Sequence, residues 1–320
     1  MFNELLRNLR GPKVVHRLSF GQRVRKDFRR NYMVYLLVLP VLVYFILFQY
    51  FPMYGAQIAF RDFSPVRGIW GSQWVGLEHF RRFFSGPFFW RVVRNTFLIN
   101  VYQLFWGFPA PIILALFMNE MRNIKFKRTV QTITYMPHFI STVVMVGIIM
   151  DFTMSRGLFN DINVFFGGTR RNLLAEPALW RSIFVGSGIW QSAGWGTIVY
   201  LAALSGIDEQ LYEAAMIDGA GRFRRLISIT LPGIMPTIVI LLILRMGSMM
   251  SVGFEQIILM YSPIVYEVSD VISTYVYRAG LLNAQFSYAS AIGLFNSVIN
   301  FMFIMTANGI SRRVNETSLW

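Results

Sequence analysis

"YEAAMIDGAGRFRRLISITLP", residues 212–232, is a short charged strip rich in Ala and Gly, set between two long apolar stretches. Its plain reading is a loop between membrane spans; the sharper one is a docking element for a soluble partner. Just before and into it, "DEQLYEAAMID" (208–218) begins with Asp208 and Glu209, acidic residues that suit a helix N-terminus. Positions three and four apart share a helix face, so Leu211, Ala214 and Ala215 fall in one sector. Alanine joins strong helix propensity to little bulk. The spacing therefore predicts a slim helix that fits a groove on another protein, with Glu213 available to a basic partner residue. Gly219 and Gly221 then permit the left-handed backbone of a tight reversal. "RFRRLISI" follows, with Phe223, Leu226 and Ile227 on one face and Arg222 and Arg225 near lipid headgroups. Pro232 fits the first turn of the next span, where a missing N–H costs nothing. The expected order is helix, turn, short interfacial helix and membrane helix, a rigid lever.

The rest of the chain suits such a lever. Of 320 residues, 55% are hydrophobic and only 14% charged, and the mean hydropathy is +0.47. Soluble domains carry about a quarter charged residues, so this is a membrane protein's composition. Six runs reach the ~20 residues needed to cross a bilayer: about 32–52, 95–119, 131–152, 183–205, 232–252 and 286–307. The expected fold is an all-α integral membrane protein of six spans, 32–308. A basic segment (1–31) precedes it, a tail (309–320) follows, and the loop 206–231 joins spans four and five. Span four holds Gly186, Gly188, Gly194 and Gly196, which allow close helix approach. Pro40, Pro109 and Pro111 break backbone bonds within spans, and the freed carbonyls need other partners.

Lys and Arg set the orientation. They crowd the N-terminal segment (Arg7 to Arg30), the loop after span two (Arg122, Lys125, Lys127, Arg128), the strip (Arg222, Arg224, Arg225) and the tail (Arg312, Arg313). With six spans these four segments share one side, so both termini and the strip face the cytoplasm of a bacterial cell membrane. The 53–94 loop weakens the contrast with Arg61, Arg67, Arg81, Arg82, Arg91 and Arg94. The net charge of +14 is thus a topology signal; no aromatic-interleaved basic module supports nucleic-acid binding. "NELLRNLR" (3–10) reads as a short amphipathic helix on an anionic leaflet.

Other chemistry is thinly represented. Cysteine is absent and only three histidines occur, with no HExxH spacing, so neither a thiol nucleophile nor a histidine metal site is expected. A membrane-embedded enzyme wants paired carboxylates at depth, and Asp151 and Glu255 stand apart in the sequence. A stand-alone channel leaves the strip without a purpose.

The spacing of Glu213, Ala214, Ala215, Gly219, Ile229, Leu231 and Pro232 resembles the EAA loop of ATP-binding-cassette importer permeases. Within them it is similar to the carbohydrate-uptake branch, the maltose and glycerol-phosphate type. "FPMYGAQIAFRDF" (51–63), "WVGLEHFRRFF" (74–84), "FFWRVVRNTF" (88–97), "GLFNDIN" (157–163) and "FEQIILM…STYVYRAG" (254–280) resemble further segments of that branch in the same order. The likeness runs from about residue 34 to 313, and looks greatest to complex-oligosaccharide permeases of Gram-positive bacteria.

The resemblance implies the type I importer permease fold, with the strip as a coupling helix seated in a cytosolic ATPase. Glu213, Ala214, Ala215 and Gly219 would form the docking surface, and Leu231 and Pro232 would lead into span five. The chain has no GxxxxGK[ST] loop, so it is a non-catalytic subunit with no cofactor of its own; ATP and Mg belong to the partner. Implied partners are a second permease, two ATPase copies, an extracytoplasmic solute-binding lipoprotein, lipid and an oligosaccharide. Glycerol phosphate or a peptide is the alternative cargo.

Such permeases form the path in spans four to six. Trp190, Gln191, Trp195, Asn296 and Asn300 are candidates to line it, since sugars stack on aromatic faces and bond to amides. Helix bridging and interfacial anchoring account for the same residue types. Arg245, inside span five, either contacts a uronate, pairs with Glu255 or a neighbouring subunit's acid, lines the pore or snorkels.

Overall fold

A computed structural model of the chain describes residues 20–314. "NELLRNLR", most of the basic N-terminal segment and the tail after 314 lie outside the described residues. The described strands are one two-residue antiparallel pair, Arg61–Asp62 with Gln73–Trp74. Among the described residues, five helices are long and apolar enough to cross a membrane: Arg25–Phe60, Phe89–Glu120, Thr142–Phe165, Arg222–Met246 and Phe286–Arg312. A further helix, Pro177–Ser205, has 29 residues and so spans about 43 Å, longer than a ~30 Å hydrocarbon core. Arg181, Ser187, Gln191, Ser192 and the span-four glycines dilute its hydropathy. Arg181, Ser187, Gln191 and Gly194 among them sit at its contacts with neighbouring segments. Gly194 abuts the backbone carbonyl of Thr134, where any Cβ would collide, and so brings the two helices together.

The chain divides after Gln57. The described part of the N-terminal unit is helical, kinked at Asn31 (φ −117°, ψ +23°), with Pro40 inside the part that follows. The main unit, from Ile58, has three apolar clusters. One joins Ile99, Val146, Trp180, Phe184, Ile257 and Met260. A second joins Phe83, Val92, Met250, Ile272, Tyr288 and Ile292. A third joins Ile112, Ala115, Tyr200, Leu204 and Ile234.

The prolines are handled by a recurring device. Three π turns each stand two residues ahead of a proline: Ile46–Tyr50 before Pro52, Gln103–Gly107 before Pro109, and Leu226–Thr230 before Pro232. A helical proline leaves the carbonyl four residues back without a donor and crowds it with its ring. Those carbonyls belong to Phe48, Phe105 and Ser228, the centre of each wide turn. Bonding shifts there to five-residue steps, with the N–H groups of Phe51, Phe108 and Leu231 donating to Ile46, Gln103 and Leu226. The wider turn makes room for the ring.

Several boundaries differ from expectation. Pro232 does not open its span: the helix runs unbroken from Arg222, and the π turn absorbs the proline. The same helix ends at Met246 rather than 252. Span three does not start at 131. Ile124–Tyr135 is a separate amphipathic helix capped by Asn123, whose side chain accepts from the N–H groups of Lys125 and Phe126. Pro137 and the Ser141 cap then reset the chain before Thr142. "GLFNDIN" follows a break at 154–157 that ends Thr142–Thr153, and all but its first residue lies in the short helix Leu158–Phe165.

Candidate functional sites: a polar cavity at mid-span and a capped helix

Polar residues gather where the long helices are halfway along. Gln103 lies near the midpoint of 89–120, Gln191 near that of 177–205, and Asn300 near that of 286–312. At this level the 222–246 helix stops, and residues 247–253 run without regular helix until Phe254–Met260. Asn300 holds the break: its Oδ1 accepts from the Met250 N–H at 2.7 Å, and its Nδ2 donates to Ser251 Oγ at 3.0 Å. Irregular backbone at membrane depth persists only where protein buries it or a wet cavity receives it.

Such a cavity is present. It encloses about 550 Å³, and its polar lining is Gln103, Gln191, Ser192, Arg245, Ser251 and Gln256. Along each helix this layer falls between apolar clusters: Ile99 and Ile112 flank Gln103, Val185 and Tyr200 flank Gln191, and Ile234 and Met250 flank Arg245. Gln191 donates to the Ile140 carbonyl at 3.0 Å. Gln256 donates to Ser187 Oγ at 2.9 Å and the Phe184 carbonyl at 3.1 Å. Trp195 adds an aromatic wall. His138 stacks parallel on the indole at 4.7 Å, and Phe139 meets it edge-on. An indole braced in this way is held in a fixed orientation at the cavity wall.

Arg245 does not pair with Glu255. Its Nη2 donates to Gln103 Oε1 at 2.6 Å, and no described carboxylate forms an ion pair with it. Of the six path candidates, the cavity collects Gln191, Trp195 and Arg245. Trp190 faces a separate apolar cavity with Ile148, Phe152 and Phe159. Asn296 lines another, beside Ser273 and Ser290, and its Oδ1 is buried without a protein partner. Asn300 is occupied in pinning the 247–253 break.

The 208–232 strip forms the second site. Asp208 caps Glu209–Ile217, its side chain accepting from the Gln210 N–H. The C-terminus is a Schellman turn. Ala220 N–H bonds to the Ala215 carbonyl at 2.8 Å and Gly219 N–H to Met216 at 3.1 Å, with Gly219 at φ +75°. Tyr212 OH lies 2.9 Å from Thr230 Oγ1, clasping this helix to the π turn of the 222–246 helix. Ile207 packs where a Gly233 side chain would otherwise stand. Outward, Glu213 and Ala214 are exposed, as are Leu211, Met216, Ile217 and Phe223, Ile217 to 87%.

Against known families, residues 107–316 match the model for the binding-protein-dependent transport system inner membrane component. The chain belongs to that family. The permease is 44% identical to the protein LplB of Bacillus subtilis (strain 168) over 293 residues, covering 91% of this chain and 92% of that protein. It is also 44% identical to the polygalacturonan/rhamnogalacturonan transport system permease protein YteP of the same organism, over 90% of each. Among solved structures, it resembles a chain of a bacterial ABC transporter involved in the import of the acidic polysaccharide alginate. That match has a TM-score of 0.85 and 42% identity, covering 92% of the permease and 99% of that chain. The type I importer permease fold and the resemblance to oligosaccharide-importer permeases of Gram-positive bacteria are thereby borne out.

Sequence reasoning missed Gln103, Ser251 and Gln256 in the cavity and the Tyr212–Thr230 clasp. Gln103 did leave a signal, as an amide amid the aromatic residues Tyr102, Phe105 and Trp106 of an apolar span. The clasp left none, because its partners are 18 residues apart across a turn.

Proposed function

We propose that this permease is the translocation subunit of an ATP-driven importer of oligosaccharides, acting with a second permease, two cytosolic ATPase copies and an extracytoplasmic binding protein. In this reading 177–205 also crosses and is the fourth of six spans, both termini are cytoplasmic, and 209–217 is gripped by the ATPase. Supporting the cargo, YteP is named for polygalacturonan and rhamnogalacturonan transport. A related alginate importer is described in complex with a pentasaccharide-bound periplasmic protein.

The observation that carries the reading is the capped 209–217 helix, which exposes Leu211, Met216 and Ile217 beside Glu213 and is clasped to a helix that ends at the polar cavity. Movement imposed on it passes through Tyr212–Thr230 and Ile207–Gly233 into 222–246, and so to Arg245 and the 247–253 break. ATP binding and release act on the cavity by differential docking, a population shift rather than chemistry in this chain. Glu213, Ala214, Ala215 and Gly219 form the docking face. Leu231 and Pro232 set the junction with the span. Gln191, Trp195 and Arg245 contact the solute, with Trp190, Asn296 and Asn300 in adjoining walls.

Affinity purification of the tagged chain from membranes is expected to bring down an ATPase and a second permease. The reconstituted complex should take up oligosaccharides only with ATP. Recovery of the chain alone, with no ATPase, contradicts the reading.

A further inference from the structure

Arg245 is met inside the chain by a neutral amide. Among the described residues its side chain bonds to Gln103 alone, and the cavity wall contains no Asp or Glu. The carbonyl end of its own helix is a weak counter-charge. An arginine at such depth is costly unless it faces water or an anionic partner.

A second cavity, of about 600 Å³, shares Val185 and Ile189 with the first and is also free of carboxylates in its wall. Its cation is Arg181, which likewise donates to neutral oxygens: Asn95 Oδ1 at 2.8 Å and the Val268 carbonyl at 3.3 Å. Around it the charges do not balance. Arg91 and Arg278 share Asp270, and Arg94 takes Glu267, so four guanidiniums counting Arg181 meet two carboxylates. Two adjoining chambers thus each hold one guanidinium whose partners are uncharged and replaceable.

A neutral sugar gives such a guanidinium ordinary hydrogen bonds, whereas a carboxylate matches its fork with two charge-assisted ones. We propose that Arg245, with Arg181 in the adjoining chamber, selects oligosaccharides bearing carboxylates over neutral ones. The inference rests on the reading of the cavity as the sugar path. In the bound state a uronate carboxylate takes the place of the Gln103 amide on Arg245, while its ring lies against Trp195.

The test is binding to the detergent-solubilised, assembled importer without its binding protein, so that delivery plays no part. The probes are galacturonate and mannuronate tetrasaccharides, each compared with its methyl ester. Wild type should prefer an acid form by roughly 10- to 100-fold, the worth of one charge-assisted pair. Arg245→Gln should abolish the preference, lowering the acid's affinity more than the ester's. Gln103→Glu, which sets a built-in carboxylate against Arg245, should abolish it too and covers the case in which Arg245→Gln fails to assemble. Equal binding of acid and ester by wild type overturns the proposal, as does a preference that survives Gln103→Glu. If Arg245→Gln destroys assembly while Gln103→Glu keeps full preference, Arg245 serves a carboxylate of the second permease instead. If wild type binds neither form and transports no neutral oligosaccharide, the sugar-path reading itself fails.

Discussion

At Gly219 the backbone takes φ +75° with open space where a side chain would stand, so substitution is penalised by conformation and not by collision. Gly219→Ala should therefore weaken the Schellman turn by about 1 kcal/mol, leaving the protein inserted but its ATPase more easily washed away in co-purification. Undiminished retention of the ATPase contradicts that. Asp270 behaves differently. Its carboxylate is fully buried, bonded by Arg91 at 2.9 Å, Arg278 at 2.7 Å and Thr274 Oγ1 at 2.9 Å. Burial opposes the charge on Arg278, but the Asp270 hydrogen bond and charge outweigh it, and the Arg278 pKa lies above its ordinary value. Asp270→Ala leaves two guanidiniums unpaired beside Arg94 and should cost about 3–5 kcal/mol. Thermal unfolding of the solubilised complex measures this, and an unchanged Tm contradicts it. The sequence marks Gly219 because left-handed backbone is a local property. It does not mark Asp270, whose partners Arg91 and Arg278 come from segments that only the fold brings together.

The element scale is governed by the π turns. Pro109 was legible as a break and Pro232 as a first-turn residue, but their accommodation depends on the whole helix and not on the proline alone. A local reading ended one helix and began another at Pro232; the ladder instead widens over Leu226–Thr230 and continues. In the proposed coupling, the widening sets the angle at which Arg222–Arg225 leaves the span and holds Thr230 opposite Tyr212. Deleting Ser228 removes the extra residue and rotates the 222–225 end by about 100° relative to the span. Uptake should fall to background while membrane insertion and yield persist, read by transport in vesicles against immunoblot. Normal uptake by the deletion variant contradicts a coupling role for this turn. The displaced start of span three has a similar origin. Residues 131–135, QTITY, carry no charge and so read as the start of the apolar run, but Pro137 and the Ser141 cap divide it.

For the whole molecule, hydropathy exposed most of the spans because apolar periodicity survives any tertiary arrangement. The 177–205 helix is the instructive case. Its glycines and amides lower its hydropathy because they serve close packing at Gly194 and the cavity at Gln191. The cavity was legible only in part: Gln191, Trp195 and Arg245 are polar or aromatic residues inside spans, whereas Ser251 and Gln256 matter only because the 222–246 helix ends early. These features support one claim, that the 209–217 helix lies on the cytoplasmic side under the grip of an ATPase. The natural absence of cysteine permits a direct measurement. A single cysteine at exposed Met216 is reacted with a membrane-impermeant maleimide in intact cells and in inverted vesicles. The account predicts no labelling of intact cells, labelling of inverted vesicles stripped of the ATPase, and protection when the ATPase is restored. Labelling of Met216→Cys in intact cells contradicts it.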